Sequence, residues 1–210
     1  MKLAIIDRDG TLNLMGGDYI TGADEWTPVP GALEAIARLN HAGWHVVVAT
    51  NQPGLGRGLF DVMSLNAIHA KMHRQLAAVG GRIDAVFYCP HAADENCACR
   101  KPAPALLEQI CERYGVERQD VHVVGSCMAH LQAGAAVGAH LHLVCTGPSA
   151  HVTPGEPLPA GLAPGTRVYG SLGEFVDALM PVVHSGAALV GPASAAATPL
   201  PPQGPGNFSV

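Results

Sequence analysis

The chain has 210 residues, with 12 Lys and Arg against 17 Asp and Glu, for a formal net charge of −5. Only 14 % of it is charged, against roughly 25 % in an average soluble domain, and the acidic balance excludes a protein that coats nucleic acid through a basic face. Six cysteines are too few for a disulfide scaffold, and no stretch of about 20 uninterrupted apolar residues is long enough to span a bilayer.

Taken in chain order, Leu3-Ala4-Ile5-Ile6 is a short apolar run that stops at Asp7, as a buried strand does. It is too short for a signal-peptide core, so a cytoplasmic, reducing setting is expected, where clustered cysteines read as metal ligands first. Between Gly31 and Ala42, Leu33, Ile36, Ala37 and Leu39 recur at helical spacing, and Gly43 ends the helix. Val46–Ala49 is a second buried strand. Asp61 is placed to cap a long helix whose apolar face is Leu65, Ile68, Met72, Leu76 and Val79. Strands are predicted at Ala85–Tyr88, Val121–Val124, Leu141–Cys145 and Arg167–Tyr169, and helices at Pro104–Tyr114, Met128–Val137 and Leu172–Met180. Strands apolar throughout and alternating with helices predict an α/β fold, a doubly wound parallel sheet covered on both faces. The last thirty residues, Pro181–Val210, hold six prolines and no Asp, Glu, Lys or Arg, which predicts a disordered tail after a single domain over 1–180.

In such a sheet, function collects beyond the carboxyl ends of the strands. There the chain places Asp7-Arg8-Asp9-Gly10-Thr11, Thr50-Asn51, a Cys/His loop and Gly125-Ser126. Two carboxylates two residues apart call for a cation or a shared proton. Arg8 between them reads equally as a surface charge, a salt bridge or a substrate contact. Cys89, His91, Cys97 and Cys99 form a C-x-H-x5-C-x-C set whose four soft donors suit a tetrahedral structural Zn²⁺. Cys111 and Cys145 read as small core residues, with Cys127 beside the cleft. His41, His69, His73 and His122 fall away from these motifs and read as solvated or structural side chains.

The Asp-x-Asp-Gly-Thr segment resembles the signature of the haloacid dehalogenase superfamily of phosphotransferases. Thr50-Asn51-Gln52-Pro53-Gly54-Leu55-Gly56-Arg57-Gly58 and the Cys/His block running into Arg100-Lys101-Pro102 narrow the resemblance. They are similar to the zinc-containing branch that includes heptose bisphosphate and histidinol-phosphate phosphatases. The similarity runs from Met1 to about Met180, and it implies a small zinc loop and a minimal cap on the Rossmann-like sheet. It also implies a nucleophile at Asp7, an acid/base at Asp9, Thr50 and Asn51 orienting the phosphoryl group, and Lys101 offsetting its charge. Mg²⁺ would be held by Asp7, the backbone carbonyl of Asp9 and one later Asp. Arg57 resembles the heptose branch, where an arginine in this loop suits a second phosphate; a solvated loop arginine is the other reading. With Arg100 beside it, the expected partner is a small phosphosugar, bound by a monomer without nucleic acid or membrane. The reaction implied is removal of the C7 phosphate of a heptose bisphosphate in nucleotide-heptose biosynthesis, with histidinol phosphate as the alternative substrate.

One motif departs from the family. Where Gly-Asp and a second Asp four residues later are expected, the chain reads Gly125-Ser126-Cys127-Met128-Ala129-His130. A neutral hydroxyl replaces the metal-binding carboxylate, and His130 stands one helical turn on, on the same face. The departure leaves open a weakened phosphatase, one using a softer ion such as Mn²⁺ through Ser126 or His130, and a phosphosugar binder without turnover.

Overall fold

The computed structural model describes residues 1–180, so the tail expected beyond them lies outside the described residues. Six strands, β1 (Leu3–Ile6), β2 (His45–Asn51), β3 (Ala85–Cys89), β4 (Val121–Gly125), β5 (His140–Val144) and β6 (Arg167–Tyr169), form one sheet in the order β3-β2-β1-β4-β5-β6. Every pairing is parallel, with Leu3 beside both His45 and Val121. The winding reverses between β1 and β4, which opens a crevice at their carboxyl ends.

Six helices accompany the sheet: α1 (Ala32–His41), α2 (Pro53–Gly56), α3 (Val62–Ala78), α4 (Ala105–Tyr114), α5 (Met128–Ala136) and α6 (Leu172–Leu179). Because successive strand residues point to opposite faces, the apolar runs divide into two cores. Ala4, Ile6, Val46, Val48, Val124 and Val144 pack with α1, α3 and α6, including Trp44 and Phe175. Leu3, Ile5, Val47, Ala49, Val123 and Leu143 pack with Leu106, Leu107 and Ile110 of α4 and Leu131 of α5. Asp61 caps α3 as expected, its Oδ1 accepting from the Ser64 N–H at 2.8 Å. Element ends shift by a residue or two from the sequence reading. The four-residue α2 is new, since no apolar period marks so short a turn. Cys111 and Cys145 are only partly buried, not core residues. Among the described residues no helix is long and apolar enough to cross a membrane.

Candidate active site

Asp7 directly follows β1, is 5 % exposed, and has its backbone N–H tied to Val124 O across the crevice. The Lys101 ammonium, 3 % exposed, donates to Asp7 Oδ1 at 2.9 Å, to Ala49 O at 2.6 Å and to His130 Nδ1 at 2.9 Å. All three ammonium protons therefore have acceptors. Burial alone would push the Asp7 carboxyl up. The charge on Lys101, with hydrogen bonds from Lys101 and the Arg8 N–H, outweighs it and holds the group below the usual carboxylate range.

The backbone of Lys101 is fixed as firmly as its head. Asn51, at the end of β2, accepts from Lys101 N–H at 3.1 Å and donates its amide to Lys101 O at 3.0 Å. Asn51 thus holds the lysine, where the resemblance implied contact with the phosphoryl group. Thr50, 1 % exposed, accepts from Gln52 Nε2 at 2.9 Å, and the same amide donates to Asp9 Oδ2 at 2.9 Å.

Arg8 corrects two sequence readings. It is no surface charge: it is fully buried and grips Asp9 as a fork, Nε to Oδ1 at 2.9 Å and Nη2 to Oδ2 at 3.0 Å. Its Nη1 donates to His69 Nε2 at 3.1 Å. His69 of α3 therefore lies behind the Asp7–Asp9 segment and not away from it. Burial, then the Arg8 charge, pushes His69 down to about 3, so its ring is the neutral acceptor this bond needs. Sixty-one residues separate the pair, and only the docking of α3 on the sheet brings them together.

The turn after β4 corrects a third reading. His130 is fully buried, and its two ring nitrogens face Lys101 Nζ and, at 3.3 Å, Ile5 O. An ammonium can only donate, so Nδ1 accepts and Nε2–H points to the carbonyl. Burial, then the Lys101 charge, lowers this imidazole to about 3. Both nitrogens are occupied, and His130 has no lone pair left for a metal ion. The ring fits here because Gly125 carries no side chain: a Cβ would lie 2.9 Å from His130 Cδ2 and 3.0 Å from Asp7 Cβ. Ser126 is also fully buried, its Oγ 3.0 Å from Thr11 Oγ1, while its N–H donates to the same Thr11 oxygen at 2.9 Å.

Beyond β3, Cys89, His91, Cys97 and Cys99 converge, their four donor atoms all within 4.8 Å of one another. Cys89 Sγ is 3.2 Å from Cys99 Sγ and 3.7 Å from Cys97 Sγ, and His91 Nδ1 is 3.3 Å from Cys99 Sγ. Thiolates at about 2.3 Å from a tetrahedral ion sit about 3.7 Å apart, so the donor set fits a borderline-soft divalent ion closely. Arg100 follows the loop and donates to His91 O at 3.4 Å. Arg57, capping α2, donates to Tyr19 Oη at 2.7 Å. The two arginines line one cavity of about 610 Å³ with Tyr19, Pro53, Asp94 and Glu95.

Residues 15–138 match the model of the haloacid dehalogenase-like hydrolases. The chain belongs to this family. It is 48 % identical over 180 residues to the D-glycero-beta-D-manno-heptose-1,7-bisphosphate 7-phosphatase of Bordetella bronchiseptica, covering 86 % of this chain and 98 % of the relative. The enzyme of that name from Pseudomonas aeruginosa is 45 % identical, with 85 % and 98 % covered. The crystal structure of the B. bronchiseptica D,D-heptose 1,7-bisphosphate phosphatase, complexed with magnesium and phosphate, superposes with a TM-score of 0.79 at 48 % identity, covering 85 % of this chain and 98 % of that one. The corresponding Burkholderia thailandensis structure gives 0.66 at 45 % identity, with 86 % and 99 % covered.

At Asp7 the chain offers Mg²⁺ two of the three protein ligands that the resemblance implies, an Asp7 oxygen and the Asp9 carbonyl, and lacks the third, a later carboxylate. Asp7 Oδ1 and both oxygens of Asp9 already accept N–H bonds, His130 is occupied, and Ser126 offers only a neutral hydroxyl. Asp7 Oδ2 is the one carboxylate oxygen there without a hydrogen-bond partner among the described residues. Mg²⁺ prefers six oxygen donors in near-ideal octahedral geometry.

Proposed function

We propose that this hydrolase removes the C7 phosphate of D-glycero-β-D-manno-heptose 1,7-bisphosphate through an aspartyl-phosphate on Asp7. The observation that carries this reading is the buried Asp7–Lys101 pair at the switch point. A carboxylate held ionised by a neighbouring ammonium is an available nucleophile, and its Oδ2 is the oxygen left to attack phosphorus. Asp9 would carry the proton to the leaving sugar oxygen and later take one from water. Arg8, His69 and Gln52 hold its carboxylate in place for both steps. Two features support the bisphosphate. Arg57 and Arg100 line one cavity, and a guanidinium recognises phosphate bidentately. Relatives 41–48 % identical carry the β-heptose name. The cysteine loop would hold zinc as a structural ion, since all four positions are filled by protein donors.

The test is phosphate release from β-heptose 1,7-bisphosphate and from histidinol phosphate by wild type, Asp7→Asn and Arg57→Ala. The reading requires preference for the heptose, loss of at least about a thousandfold in Asp7→Asn, and a KM rise of about tenfold in Arg57→Ala. Faster turnover of histidinol phosphate, or unchanged kinetics in Arg57→Ala, sinks the heptose assignment.

A further inference from the structure

The charges around Asp7 close on themselves. Two carboxylates, Asp7 and Asp9, face one ammonium and one guanidinium, each in direct contact with its partner. The remaining side chains of the cluster, Ser126, Thr11, Gln52 and His130, are neutral, and the bonding of His130 fixes it as the neutral tautomer. We infer that the Asp7 cleft takes a phosphomonoester without a divalent cation as its partner, Lys101 and Arg8 supplying the positive charge that balances the carboxylates. The inference rests on the phosphatase reading for the choice of ligand.

Three observations converge on it. First, three of the four carboxylate oxygens accept N–H bonds, so an incoming cation meets one carboxylate oxygen and the Asp9 carbonyl, and the third protein ligand that the resemblance implies, a later carboxylate, is absent. Second, the Cys/His loop is the one cluster of three or more metal-ligating side chains among the described residues, and it contains none from this cleft. Third, the two positions where the family resemblance leads one to expect carboxylates carry groups that do not repel an anion. A carboxylate at Ser126 or His130 would add negative charge that only a cation between it and the phosphate could offset. Here a hydroxyl paired with Thr11 and an imidazole accepting from Lys101 stand instead. Removing two carboxylates and one divalent cation together leaves the net charge that the phosphate meets unchanged.

The experiment is calorimetric, so it does not depend on turnover. Protein that retains its zinc-loop ion, verified by elemental analysis, is passed through buffer freed of Mg²⁺ and Mn²⁺, then titrated with inorganic phosphate, with Mg²⁺ alone, and with phosphate in the presence of Mg²⁺. Wild type is expected to bind phosphate with affinities within about threefold in the two buffers, and to show no saturable binding of Mg²⁺ alone. The double variant Ser126→Asp/His130→Asp is expected to lose about tenfold in phosphate affinity without Mg²⁺ and to regain it when Mg²⁺ is added. A tenfold or greater dependence of wild-type binding on Mg²⁺ overturns the inference. So does saturable Mg²⁺ binding that Asp7→Asn abolishes, or failure to bind phosphate in either buffer. If the double variant does not fold, the wild-type titrations decide alone. The phosphatase reading fails separately, by the absence of phosphate release under every metal condition while phosphate still binds.

Discussion

In the loop after β3, Cys89, His91, Cys97 and Cys99 bring four metal donors together; in the turn after β4, Ser126 and His130 bring none, and hydrogen bonds to Thr11, Lys101 and Ile5 O take their place. Both segments meet at Lys101, the first by leading into its backbone and the second by accepting from its ammonium. The contrast sets a cluster able to hold a metal ion against a closed set of neutral and paired groups. The two solutions differ in how they fail.

The largest expected effect separates them by metal removal. Cys89→Ser should lose the loop ion and about 4–5 kcal/mol, lowering Tm by about 10–15 °C in calorimetry. An unchanged Tm and metal content would break the comparison on its first side.

Acid comes next, because the β4–β5 side is crowded with imidazoles. His122 Nδ1 and His142 Nε2 are 2.9 Å apart in rings inclined by 14°. Burial, then the neighbouring His122, lowers His142 to about 3, and burial lowers His69 to about 3. Below pH 6.5 the unfolded chain protonates these rings and the folded chain does not. Stability is therefore complete above about 6.5 and falls as pH drops towards 3, by about 1.4 kcal/mol per pH unit for each ring. These two rings account for a loss of about 3 kcal/mol between pH 6.5 and pH 5 in denaturant titrations, to which His130 adds in the same direction, and a flat profile there would exclude neutral buried imidazoles.

A smaller effect tests the support behind Asp9. His69→Phe removes the acceptor from Arg8 Nη1 and should cut kcat about tenfold with little change in KM, and His69→Gln, which keeps an acceptor, should restore most of it. Equal losses in both variants would mean that His69 only fills space. The smallest change expected is Ser126→Ala, which deletes one neutral hydrogen bond and should cost about 1 kcal/mol in Tm measurements. A loss of activity as large as that in Asp7→Asn would instead make the Ser126 oxygen a metal or phosphate ligand.

The strands were readable because most of them centre on short apolar runs, and Lys101 because it follows a cysteine loop of distinctive spacing. The contact of Arg8 with His69 was not. Nothing local distinguishes a buried arginine from an exposed one, and their partnership exists only after α3 packs on the sheet. His130 misled for a related reason. Helical spacing put it on the face of Ser126, but Ser126 lies before α5, and the ring turns towards Lys101 through the gap at Gly125, a direction set by packing. The charges that balance the site could be counted in the sequence; which atoms they touch could not.

The double hydrogen bond between Asn51 and the Lys101 backbone makes the lysine a tether between the sheet and the cysteine loop. Its position is set from two sides, so the ammonium on Asp7 depends on the end of β2 as much as on the chain that leads into it.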